Sequence, residues 1–223
     1  MKVLQPETLT DERLQRAVRI LCRRDPDLAR VHRECGTPPL WAREPGFQTL
    51  VLIILEQQVS LASARAAFSR LQQSISRVTP RRVLTLDDLA LKTIGFSRQK
   101  ASYVRHLAEA IIKRRFRPAT LRRMSDQGAR EVLLALKGIG FWSADIYLMM
   151  ALRRPDIWPS GDLALATAAQ EVKQLHKRPS PEELEELGNA WRPWRAVAAR
   201  LLWHHYLTKR AGGNGFSQRR KES

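Results

Sequence analysis

Between Thr10 and Lys209 the apolar residues of this 223-residue chain recur at the three-and-four spacing of a helix, and no stretch alternates as paired strands would. That periodicity confines the chain to an all-α fold. Thr10 precedes a run with Leu14, Val18 and Leu21 on one face and with Asp11 and Glu12 at its positive end, which predicts the first helix. The segment 47–56 is almost wholly apolar and could be a buried strand. Its continuation through Gln57 and Gln58 to Ser60 favours a core helix, and Ser60 is placed to cap the next one, over 61–71. Further helices are expected at about 97–114, 126–136, 141–152, 163–175, 181–191 and 193–209.

Loops suggest the boundaries. The stretch 36–46 carries Pro38, Pro39, Pro45 and Gly46, which predicts a crossing from an N-terminal helical segment, 1–45, onto a core spanning 46–210. Beyond it, 211–223 holds Gly212, Gly213 and Gly215 and then Arg219, Arg220 and Lys221, the composition of a disordered basic tail.

Charge narrows the partners. Lys plus Arg total 39 against 22 Asp plus Glu, a formal charge of +17 spread along the chain. Such a field attracts polyanions, although a solvated basic surface or an anionic membrane would suit it too. No apolar run approaches the roughly 20 residues of a membrane span, and the N-terminus lacks a signal-peptide core. A soluble intracellular protein is expected, cytoplasmic or nuclear according to its host. Cys22 and Cys35 are the only cysteines, too few for a disulfide framework or a four-cysteine cluster. The five histidines show no metal-ligand spacing.

One stretch carries chemistry. Gly138 and Gly140 flank Ile139 between two apolar segments, so they are expected to turn the chain between two helices, with glycine supplying any positive φ. Unpaired amides at the start of the second helix suit a phosphate oxygen. A fainter copy, from Thr93 to Ala101, places Arg98 and Lys100 beside a similar turn, either as a second phosphate grip or as a simple helix-to-helix connection. Asp162, in Ser160-Gly161-Asp162, precedes a helix and reads as its N-cap, as a functional carboxylate, or as both.

Four blocks, in order, resemble the helix-hairpin-helix DNA glycosylases, and within them the 3-methyladenine DNA glycosylase II group. They are Glu56-Gln57-Gln58-Val59-Ser60, the segment from Ile94 to Ala101, the segment from Leu136 to Ala144 with Asp162 downstream, and Trp191-Arg192-Pro193-Trp194-Arg195 with Trp203. The resemblance spans roughly 47–206. It implies a two-lobed helical fold with a helix-hairpin-helix motif and a cleft between the lobes where damaged bases are excised from double-stranded DNA by a monomeric enzyme.

Residue by residue, the resemblance implies that Asp162 is the catalytic carboxylate. Trp142 and Trp203 match aromatic walls of the base pocket, with Tyr147 a further candidate. Gln58 matches the wedge that fills the gap left by a flipped base. Ser60, Arg98, Lys100, Lys137, Gly138, Gly140 and Ser143 are expected to contact DNA. Relatives that also cut the backbone carry a nucleophilic lysine where Trp142 stands, so the expected reaction stops at an abasic site. A cationic alkylated purine, such as 3-methyladenine or 7-methylguanine, leaves readily and stacks well on an electron-rich aromatic. No cofactor is expected beyond a monovalent cation that hairpin carbonyls of the family can hold. An iron–sulfur cluster lacks its cysteines. The alternatives are a non-catalytic DNA-binding module and a bifunctional glycosylase and lyase.

Overall fold

The computed structural model describes residues 7–219, and among them every regular element is helical. In chain order the helices are α1 (Asp11–Arg24), α2 (Pro26–Cys35), α3 (Phe47–Glu56), α4 (Leu61–Ile75), α5 (Pro80–Val83), α6 (Asp88–Ile94) and α7 (Arg98–Ile112). A 3-10 turn, Pro118–Arg123, leads to α8 (Asp126–Leu134) and α9 (Phe141–Ile146), which runs into a π turn, Tyr147–Ala151. Then come α10 (Leu163–Lys173), α11 (Pro181–Asn189) and α12 (Arg195–Arg219). Among the described residues no helix is long and apolar enough to cross a membrane.

Side-chain caps set most of the helix starts. Thr10, Ser60, Asp87, Ser97, Ser125, Asp162 and Ser180 each accept a hydrogen bond from a backbone N–H in the first turn that follows, satisfying donors the helix itself leaves open. Helix α2 was not predicted. It starts one residue after α1, because Asp25 caps it through the Asp27 and Leu28 amides and Pro26 takes the first position, where its missing N–H costs nothing. The short α5 and α6 and the 3-10 turn also lie outside the predicted set.

The chain divides into two compact units. The first holds residues 42–152 and the second joins 7–41 to the segment from Arg153 onward. This differs from the sequence boundary at 45, since α1 and α2 pack with α10 and α12. The expected tail boundary at 211 falls inside α12, which is described to Arg219; residues 220–223 lie outside the described residues.

In the first unit α3 is the central element. Leu50, Val51, Ile53, Ile54 and Leu55 are buried against α4 and α7, which explains a helix with so little polar surface. Each such side chain removed from water contributes about 1.5–3 kcal/mol. Glu56, buried at the end of α3, is paired at both oxygens with Arg43, at 2.8 Å each. In the second unit Asp25 is the junction. It accepts from Trp191 Nε1 at 2.8 Å and from Lys173 Nζ at 2.9 Å, while Lys173 also reaches Asp27 at 2.9 Å. Burial works to raise the Asp25 carboxyl, yet the Lys173 ammonium and the Trp191 indole outweigh it and hold the group below its ordinary range.

Candidate functional site

In the first unit, α8 and α9 form a helical hairpin closed by residues 135–140 and clamped by Arg130 Nε on Asp145 Oδ1 at 2.8 Å. The two turn glycines differ. Gly138 has φ 85°, and a Cβ there would lie 2.1 Å from Cγ of Tyr103. Both backbone conformation and space demand glycine. Gly140 has φ −95°, an extended conformation open to any residue, and a Cβ there would meet nothing within 4 Å. Both glycines lie in the turn, as expected, and Gly138 alone supplies its positive φ. Gly140 leaves the first turn of α9 bare, with no side-chain cap and with Phe141 70% exposed beside it.

Gln57, not singled out from sequence, braces this turn. Its amide donates to the Gly138 carbonyl at 2.8 Å and to Ser143 Oγ at 2.9 Å. Ser143 is therefore corrected from a DNA contact to an internal residue: it is 2% exposed and its hydroxyl faces Gln57. The next residue, Gln58, is exposed and left-handed, at φ 56°, a conformation rare for a side chain with a Cβ. It is followed by exposed Val59 and by Ser60, which caps α4 through the Ser63 amide at 3.1 Å.

The second turn, between α6 and α7, also has a left-handed glycine, Gly95 at φ 108°. Arg98 is exposed at the start of α7. Lys100 serves the fold instead: its ammonium donates to the Leu55 carbonyl at the end of α3, at 2.7 Å, and burial pushes its pKa down. Lys137 is exposed, with Nζ 3.4 Å from Ser102 Oγ. Trp142 is half-buried on α9. Tyr147, expected in the base pocket, is fully buried in the π turn and offers no surface to a ligand; burial pushes its hydroxyl up to about 12.

In the second unit the structure joins two predicted residues. Asp162 caps α10, and its Oδ1 accepts from the Leu165 amide at 2.7 Å and from Trp203 Nε1 at 3.0 Å. The cap fixes a carboxylate that borders open space. That space is a cavity of about 360 Å³ lined by Ser160, Gly161, Asp162 and Leu163 and, from the segment after α10, by Lys177, Arg178 and Glu183. Trp203, 8% exposed, holds the carboxylate by its indole N–H, a role its aromatic character alone did not reveal.

A helical hairpin with a bare glycine turn, together with an oriented carboxylate at a helix start, defines the class. Residues 51–193 match the HhH-GPD superfamily of base excision DNA repair proteins, and the chain belongs to that family. Among characterised sequences it is 29% identical to DNA-3-methyladenine glycosylase 1 of Schizosaccharomyces pombe over 72% of each chain. It is 28% identical to the alkylbase DNA glycosidase-like protein mag2 of the same organism, over 70% of this chain and 76% of the relative. Among solved structures, a DNA-3-methyladenine glycosidase from Bacillus halodurans is 30% identical with a TM-score of 0.73, covering 85% of this chain and 88% of that one. The S. pombe 3-methyladenine DNA glycosylase in complex with abasic DNA gives a TM-score of 0.79 at 27% identity, over 84% and 95%.

Proposed function

We propose that the protein is a monofunctional DNA glycosylase that flips out and excises alkylated, cationic purines such as 3-methyladenine or 7-methylguanine from double-stranded DNA, leaving an abasic site. The observation that carries this reading is Asp162, held by two donors at the edge of an open cavity. As the bond from C1′ to the base nitrogen breaks, its electron pair leaves with the base. The alkylated purine departs neutral and the sugar becomes cationic. A fixed carboxylate beside C1′ stabilises that charge without having to reorganise. Water then adds to C1′ and its proton passes to Asp162 or to solvent, giving the abasic sugar.

The other residues divide the remaining work. The amides at the start of α9, uncovered at Gly140, suit a backbone phosphate, with Lys137 and Arg98 adding charge. Gln58 projects from a constrained loop as the wedge for the gap that flipping leaves. Trp142 supplies an aromatic wall and, lacking an amine, forms no Schiff base with the sugar. The Gly138 and Leu136 carbonyls each accept one hydrogen bond, from Gln57 and from the Ile139 amide. Each keeps a lone pair, an uncharged donor set that suits a monovalent cation, whose positive charge would add to the phosphate grip. The enzyme is expected to act as a monomer without another cofactor.

Asp162→Asn tests the reading, because asparagine can still cap α10 and accept from Trp203. Incubation with methylated duplex DNA and chromatography of the released bases should show excision by the native protein and its collapse in the variant, with DNA affinity retained. Equal base release by both would sink the proposal. Borohydride trapping of a protein–DNA adduct would instead establish a lyase.

A further inference from the structure

The lining of the cavity beside Asp162 is electrostatically uneven. At one end stand the Asp162 carboxylate and the side chain of Leu163, which is 63% exposed although it is apolar. At the other stand Lys177 and Arg178, in the loop that joins α10 to α11, with Glu183 of α11 beside them, so that two cations face one carboxylate there. The net positive charge of that second end disfavours a cationic alkylated purine, and the Asp162 carboxylate disfavours a free anion at the first. A nucleotide in the act of losing its base has the matching polarity, with positive charge at C1′ and a negative phosphodiester on either side of the sugar. The apolar faces of Leu163 and Ala166 suit the uncharged face of a deoxyribose between them.

The second end is arranged for charge and not for hydrogen bonding by backbone. The start of α11 is already satisfied: the Ser180 amide donates to Glu183 at 2.8 Å and the Glu183 amide to Ser180 Oγ at 3.2 Å, while Pro181 has no N–H. Lys177 and Arg178 are both exposed. Lys177 lies 3.2 Å from Glu183, a solvent-exposed pair of the kind that contributes little to stability and exchanges readily.

We infer that Lys177 and Arg178 bind a backbone phosphate next to the nucleotide whose base is removed, so that the Asp162 cavity receives the sugar-phosphate of the damaged strand and not the base. This rests on the glycosylase reading of Asp162. It adds a phosphate contact in the second unit to the one expected at the α8–α9 hairpin, and it assigns a function to a loop that none of the recognised motifs includes. The contact orients the sugar: a phosphate held at one end of the cavity leaves C1′ to the carboxylate at the other.

The test compares native protein with Lys177→Ala/Arg178→Ala and with Glu183→Gln on duplexes carrying one methylated purine. Affinity is read as a function of salt, and the phosphates flanking the lesion are replaced in turn by uncharged methylphosphonate. Losing one neutralised phosphate should make the slope of log affinity against log salt shallower by about 0.9. One methylphosphonate position should weaken the native protein several-fold while leaving the double variant unaffected. Glu183→Gln, which frees Lys177 and retains a side chain able to cap α11, should bind more tightly. An unchanged salt slope, or the same methylphosphonate penalty in both proteins, would overturn the inference while base release by the native protein stands. No base release by the native protein would overturn the glycosylase reading, and this inference with it.

Discussion

Gly138→Ala isolates what the hairpin turn demands. Two costs arise at this position. An alanine at φ 85° incurs about 1–2 kcal/mol for the left-handed backbone. Its methyl would also sit 2.1 Å from Tyr103 Cγ, an overlap that only displacement of the ring or the turn can relieve, at about 1–3 kcal/mol. Together they amount to about 2–5 kcal/mol, measurable by urea unfolding followed through tryptophan fluorescence. The two parts separate in a Tyr103→Ala background, where the ring is gone and only the backbone term remains. The substitution should then cost about 1–2 kcal/mol, leaving a coupling of about 1–3 kcal/mol between the positions. Equal cost in both backgrounds would refute the packing argument. Gly140→Ala is the counterpart: its added methyl meets open space at an ordinary φ, so stability should change by no more than about 1 kcal/mol, the scale of a lost N-cap. DNA affinity should fall, because that methyl stands where a phosphate would approach the α9 amides.

Trp203→Phe keeps an aromatic ring but removes the pyrrole half of the indole, with the N–H that Asp162 accepts at 3.0 Å. A hydrogen bond to a charged group is worth about 1.5–3 kcal/mol, so single-turnover base release should slow by about ten- to a hundredfold while DNA affinity holds; an unaltered rate would deny Trp203 its positioning role. Lys173→Met should lower stability at pH 7 by about 1–3 kcal/mol, because Asp25 loses its ammonium and keeps only the Trp191 indole and two backbone amides, while Asp27 keeps Arg30 at 3.1 Å. Lys173 holds both carboxyls low, and its own pKa is raised. The contribution is therefore complete above the ordinary carboxylate range near about 4 and disappears as pH falls through the depressed values. Urea midpoints of native and variant proteins should differ by a constant amount from pH 6 to 8 and converge at acid pH; a gap that persists at pH 2 would contradict the assignment.

Periodicity in the sequence made the long helices legible, since α1, α3, α4, α7 and α10 each bury one face or nearly the whole surface. It did not separate α2 from α1, whose boundary is set by Asp25 as an N-cap and Pro26 as a first helical residue. Matching motifs nominated positions for the site but not which way their side chains point. Ser143 and Lys100 fall within recognised blocks, yet both turn inward, one to Gln57 and the other to the Leu55 carbonyl. Gln57 and Gln58 are neighbours with opposite duties, and only the left-handed backbone at Gln58 separates the brace from the exposed residue. Lys177 and Arg178 belong to no motif; folding alone brings them to the cavity of a carboxylate many residues earlier.

The N-terminal segment precedes every recognised block, yet it supports the helix that carries Trp203 to Asp162. Trp203 holds the carboxylate from α12, and one turn earlier Arg200 is fully buried, donating to the Leu40 carbonyl at 3.0 Å and to the Ala196 carbonyl at 2.8 Å. Burial pushes the Arg200 guanidinium down to about 10, so it stays charged at neutral pH and its bonds to carbonyls offset part of its desolvation. Arg200 thereby fastens α12 to the chain just before Trp41, while Asp25 fastens α2 to Trp191 and Lys173. Arg200→Leu removes the buried charge but leaves the Leu40 carbonyl without this donor. It should cost about 1–3 kcal/mol in stability and should slow base release more than it weakens DNA binding, because what loosens is the footing of Trp203. A variant that lost DNA affinity and kept its single-turnover rate would show that α12 serves binding and that the carboxylate is oriented by the Leu165 amide alone.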